Sequence, residues 1–188
     1  MRHRLIHWTL SLGMLCSPLA MANDADLLKK ADFPAQLQGQ SPALERKSQA
    51  ILNYLWMDVY AAAFYSEPSI SAQAAVSALS PQKLELYYFR EIPRTDVIKA
   101  ANTALERQQP TETLKRLRKE LDRLHASYQD IKPGDRYDLS WDKADGMNVT
   151  RNGVVIFAST DAELAKIYFG IWLAPEGLST DLREALLK

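Results

Sequence analysis

Few residues in this chain could do chemistry, and their spacing narrows the choice further. There are three histidines, His3, His7 and His125, and a single cysteine, Cys16. A metal centre needs several ligands to converge, and one thiol excludes both a disulfide framework and a multi-thiolate site. His125 follows Leu124 in a charged stretch and reads as a boundary residue. A Ser–His–acid triad would have to use it, and no Gly-x-Ser-x-Gly elbow accompanies it. Asp130, Asp135, Asp138, Asp142 and Asp145 lack the spacing of a calcium loop. No glycine-rich phosphate loop is present. The residues therefore point to no metal and no cofactor.

What remains is aromatic. Tyr54, Trp56, Tyr60, Phe64, Tyr65, Tyr87, Tyr88 and Phe89 crowd onto three expected strands. They fit two readings. One is plain core packing. The other is an apolar cleft between a sheet and its helices, holding a few hydroxyls and amides, as small-molecule sites commonly do.

The N-terminus reads as an address. Arg2 and Arg4 precede an apolar run over 5–15, and Ala20-Met21-Ala22 places small residues where a signal peptidase reads them. Residues 1–22 are thus expected to be a signal peptide, with mature protein starting at Asn23 and located in the periplasm or secreted. Cleavage removes Cys16, leaving no thiol to mispair in an oxidising compartment. It also leaves no membrane-spanning run, since none of the remaining chain is apolar for 18 residues. Basic and acidic side chains number 23 each, so no overall field attracts nucleic acid. Lys115, Arg116, Arg118, Lys119 and Arg123 alternate with Glu120 and Asp122, which is a solvated helix face.

Residues 23–33 are polar and without pattern, a flexible lead-in to a single domain over 34–188. Strands are expected over 35–39, 43–54 and 57–65, with a helix as the alternative for the last, followed by a short helix over 71–79 capped by Ser69 or Ser71. Leu84, Leu86 and Tyr88 alternate with Lys83, Glu85 and Tyr87, which is a strand with one buried face. Pro93 and Thr95 open a helix and Pro110 breaks it. Thr111 begins another, whose stripe is Leu114, Leu117, Leu121, Leu124 and Tyr128. A three-stranded meander follows, its last hairpin turning at Asn152-Gly153. Thr160 and Glu163 form a capping box for a helix with Leu164, Ile167, Tyr168, Ile171 and Trp172 on one face. A short helix over 179–187 ends the chain. Strands flanking a central helical pair indicate an α+β domain, an antiparallel sheet covered by helices on one face.

Several stretches resemble the chalcone isomerase-like family, in particular its short exported bacterial branch. They are Ser48 to Asn53, Asp58 to Tyr65, Leu84 to Pro93, Ile131 to Asp135, the hairpin at Arg151-Asn152-Gly153 and the closing Tyr168 to Leu173. The resemblance implies an open-faced sheet wrapped by helices. In the plant enzymes an arginine, a threonine, a tyrosine and an asparagine serve an intramolecular Michael-type ring closure. By position the arginine falls near Asn53 or Leu52, the threonine near Tyr60, the tyrosine near Thr95 and the asparagine on Asn102. Only Asn102 keeps its type, and the arginine position holds no cation. Loss of one charge-stabilising donor commonly costs about 2.7–4 kcal/mol of catalysis.

The resemblance so read implies an exported, non-catalytic protein that binds a small apolar or fatty-acid-like ligand in a cleft. Asn53, Tyr60, Thr95 and Asn102 are its expected ligand-binding residues. The alternative is an intramolecular lyase or isomerase for another substrate, with Tyr60 as acid and Asn102 as orienting amide. Docking of a protein partner on the helical face is a third reading.

Overall fold

The computed structural model of the chain describes residues 19–37 and 42–188. The expected signal peptide lies outside the described residues except for the helical backbone of 19–22. Among the described residues seven strands lie side by side in chain order, every neighbouring pair antiparallel. They are β1 (Gln36–Leu37), β2 (Leu44–Tyr54), β3 (Met57–Ser66), β4 (Gln82–Tyr88), β5 (Arg136–Asp142), β6 (Gly146–Arg151) and β7 (Val154–Ser159). The helices are α1 (Leu19–Ala31), α2 (Ala72–Ala78), α3 (Arg94–Gln108), α4 (Thr111–Ser127), α5 (Ala162–Leu173) and α6 (Thr180–Leu186). From β1 onward the order is the one the periodicities predict, and the α+β class holds.

Strand parity divides the buried residues into two cores. Tyr60, Ala62 and Phe64 of β3 join Leu84, Leu86 and Tyr88 of β4 and Tyr137, Leu139 and Trp141 of β5 beneath α2 to α6. Side chains two apart share a face, so one alternating pattern per strand builds this whole surface. α5 runs through the middle of it. Every residue from Leu164 to Leu173 is buried except Lys166, because α2, α3, α4 and α6 all pack around that helix. A single apolar face is therefore a correction to make: α5 is enclosed on nearly all sides, as an all-round apolar helix should be.

The second core lies on the opposite face of the sheet. Ala61, Ala63 and Tyr65 of β3 meet Ala31, Phe33 and Leu44, with Leu28 against them. Here the expected lead-in over 23–33 is instead the greater part of α1 and its exit. The helix ends where Asp32 turns left-handed (φ 48°) and its N–H bonds Leu28 O at 3.1 Å. The guanidinium of Arg136 donates to Ala31 O and that of Arg46 to Phe33 O. Helices thus cover one face widely and α1 covers part of the other, an addition to the expected one-faced cover.

At α5 the cap is Asp161 and not Thr160. Its carboxylate accepts from the N–H groups of Glu163 and Leu164 at 2.9 and 3.1 Å, satisfying two exposed helix-end donors. The Asn152-Gly153 turn forms as expected, with φ of 52° and 80°.

Candidate functional site

Tyr60 stands on β3 opposite Leu52 and Tyr88 and points into the helix-covered core. Its hydroxyl accepts a hydrogen bond from Trp172 Nε1 at 3.0 Å. The Tyr88 ring meets it edge to face at 5.2 Å. Burial pushes the phenol well above its ordinary value of 10, and the Trp172 bond offsets only part of that. A phenol so placed stays protonated and is a poor acid. Around it Tyr128 stacks on Tyr137 at 5.4 Å, and the Tyr168 and Tyr128 hydroxyls meet at 3.2 Å. A space of about 10 Å³ lies beside Tyr128, Tyr137 and Trp172, lined also by Leu84 and Leu86 among others. That is close to the room one water needs. The buried aromatics are packed core.

The other three expected binding residues lie apart. Asn102 is half-buried on α3, whose buried face is Ala101, Ala104 and Leu105. Thr95 is exposed in the first turn of that helix, and Asn53 is exposed near the end of β2. Among the described residues no hydrogen bond joins any two of the four, and none borders the large groove described next. Tyr54 and Trp56 sit exposed at the β2–β3 turn, Trp56 completely.

The large groove has a volume of about 680 Å³ and runs between α2, the start of β4, α5 and α6. Its apolar wall includes Val76, Leu79, Ile167, Leu173 and Leu187. Local sequence shapes each side. Ser71 caps α2, its Oγ accepting from Ala74 N at 3.3 Å. Leu79 closes that helix in the left-handed region (φ 48°) and its carbonyl accepts from Trp141 Nε1 at 3.0 Å. Pro81 then separates helix from strand, and β4 begins at Gln82. On the far side Gln108 Nε2 donates to Gly170 O at 2.8 Å and Pro175 O at 3.0 Å, pinning the end of α3 to the end of α5. Gly177 allows the next loop to close on α5, since a Cβ there would meet Ile171 O at 2.6 Å.

Three polar side chains on the groove wall matter. Lys166 is exposed and has no ion-pair partner among the described residues, and Arg183 bonds Leu173 O at 3.2 Å through Nε. Gln82 is 1% exposed, and neither its Nε2 nor its Oε1 has a hydrogen-bond partner among the described residues. Glu163 also borders the groove and is held by Arg116 at 2.7 Å. An amide and two cations can bind and orient a ligand, but they supply no activated nucleophile and no tuned acid–base pair. The sequence held one sign of this site. Gln82 shares parity with Leu84, Leu86 and Tyr88, which makes it a polar side chain at a core position.

His125 is only 7% exposed, and burial holds its imidazole below the ordinary value of 6.5, opposed by Asp122 and aided by Arg118 and Arg94. Among the described residues no three His, Cys, Asp or Glu side chains converge on a metal position.

Comparison with curated proteins finds no match. Among solved structures, the Arabidopsis thaliana fatty-acid binding protein AtFAP1 superposes with a TM-score of 0.60 at 14% identity, covering 82% of this chain and 90% of that one. At that identity the likeness is one of fold. A family model described as chalcone isomerase-like matches residues 25–188, from within α1 to the last residue. With strand order, helix cover and sequence in agreement over that span, the chain belongs to the chalcone isomerase-like family.

Proposed function

We propose that this protein is a non-catalytic binder of a small, apolar, fatty-acid-like ligand, held in the groove between α2, α5, α6 and the start of β4. The observation that carries the reading is the groove itself. Its volume of about 680 Å³ lies within the range of small-molecule pockets, and its wall is apolar with Lys166 and Arg183 on it. An aliphatic chain would gain about 25 cal/mol for each Å² of apolar surface removed from water. Either cation would take a carboxylate head. Support also comes from the fold shared with AtFAP1, a fatty-acid binding protein. The isomerase reading is less well supported, because Tyr60 is buried, protonated and already bonded to Trp172.

The reading includes export to the periplasm or beyond, supported by Arg2, Arg4, the apolar run and Ala20-Met21-Ala22. Export predicts an N-terminus at Asn23 on protein recovered from that compartment. Ligand binding is tested by calorimetric titration of delipidated protein with dodecanoate. Saturable binding is expected, weakened about tenfold or more in Lys166→Glu/Arg183→Glu. Absence of heat and of any co-purifying amphiphile by native mass spectrometry would sink the proposal.

A further inference from the structure

Gln82 is the most conspicuous unmet group bordering the groove. A side-chain amide carries donors on Nε2 and acceptor lone pairs on Oε1. Buried amides in folded proteins nearly always find partners, so one with both ends unpaired calls for an explanation. Here the amide is 1% exposed, is placed inward by the parity of β4, and borders the groove. Its neighbours on the adjoining strands, Ser66 and Trp141, have their donors committed elsewhere. Ser66 Oγ donates to Ile70 O at 3.1 Å, and Trp141 Nε1 donates to Leu79 O at 3.0 Å.

A plain fatty acid cannot meet this amide and the cations at once. Its one polar head is a carboxylate, which accepts hydrogen bonds and cannot donate. Seated by Lys166 or Arg183, it leaves only hydrocarbon for Gln82. Seated at Gln82, it leaves Oε1 unmet and abandons the cations. A hydroxyl both donates and accepts, so it can bond Oε1 and Nε2 together.

Resting on the binding reading above, we infer that the groove selects a hydroxylated fatty acid, its carboxylate at one of the groove's cations, Lys166 or Arg183, and its hydroxyl on the Gln82 amide. The cations then supply attraction for acids in general. Gln82 supplies discrimination, since a site built to bond a hydroxyl rejects the analogue lacking it by leaving buried polar atoms unpaired.

The test titrates delipidated protein with dodecanoate and with a positional series of monohydroxylated dodecanoates, in wild type and in Gln82→Leu. At least one hydroxylated isomer is expected to bind wild type tenfold or more tighter than dodecanoate. In Gln82→Leu that preference should vanish or invert while dodecanoate still binds. Thermal melting shows whether Gln82→Leu is folded, and Gln82→Met serves in its place if it is not. Equal affinity of dodecanoate and every isomer for wild type would mean that water satisfies Gln82, and would overturn the inference while leaving the binding reading intact. A preference that survives loss of the amide would overturn it as well. Failure of every acid to bind would remove both.

Discussion

Tyr60 shows how one hydroxyl can be assigned two different jobs. Its aromatic neighbours and the family likeness place it in a ligand cleft, whereas its bond to Trp172 makes it an acceptor inside packed core. Tyr60→Phe should therefore cost stability and spare binding. The indole N–H of Trp172 would lose its partner in a buried setting, at about 1–3 kcal/mol. Urea unfolding should show that loss, while dodecanoate affinity stays within twofold of wild type. Weakened binding at full stability would return Tyr60 to the site. Gln82 is the opposite case, since a lone glutamine in a strand attracts no motif search, yet its parity was open to reading. Asp135 is a third. Burial acts to raise its carboxyl, but bonds from Asn152, Lys132 N–H and Arg151 outweigh that and hold it below the ordinary range. Asn152 is thus both a turn residue and a tie to the preceding Lys132–Asp135 turn.

The elements differ in how well their sequences suit them. Two hairpins turn through two residues in the left-handed region, Asn152-Gly153 and Leu55-Trp56. The first pair is what such a turn favours. The second is not, because a side chain there crowds its own backbone by about 1–2 kcal/mol per residue. Exchanging the chemistry should move stability in opposite directions. Gly153→Val should destabilise by about 1 kcal/mol or more, through backbone strain alone, since a Cβ at Gly153 meets nothing within 4 Å. Leu55→Asn with Trp56→Gly should stabilise by about 1–2 kcal/mol. Urea midpoints read both, and a stabilising Gly153→Val or a destabilising double variant would contradict the turn assignment. The α4 stripe was legible in most of its positions: Leu117, Leu121, Leu124 and Tyr128 are buried at the spacings that announced them, and Leu114 is half-buried.

At the scale of the molecule, the sheet is a meander closed by distant contacts. α6 lies against β2, where Ser48 Oγ donates to Leu186 O at 2.6 Å. α1 lies on the other face and covers Ala61, Ala63 and Tyr65. Protein starting at Asn23 keeps Leu28, Ala31 and Phe33, the residues that reach the sheet, and should fold like the full chain. Protein starting at Pro34 should not. It bares that apolar patch and strips the Arg136 and Arg46 guanidinium groups of their Ala31 and Phe33 carbonyl partners. Lower solubility and a melting temperature several degrees below that of the Asn23 form are expected from circular dichroism. Equal melting of the two forms would show that α1 contributes nothing to the fold.

The amino-acid sequence by itself determined the element order from β1 onward, the inward parity of β4 and β5, the α4 stripe and the Asn152-Gly153 turn. Each is set by neighbours within a few residues, and in a meander those neighbours are also neighbours in space. Only the tertiary structure decided that residues 23–31 are helical. Their Asn and Asp are weak helix formers without apolar period, and the sheet supplies the contact they lack. It alone decided that α5 is enclosed, and that Trp172 reaches across the core to the Tyr60 hydroxyl. The groove belongs to this second class. Its walls come from α2, β4, α5 and α6, and the first and last of these lie more than a hundred residues apart in sequence. Local periodicity carries no record of which distant faces leave a gap when they pack.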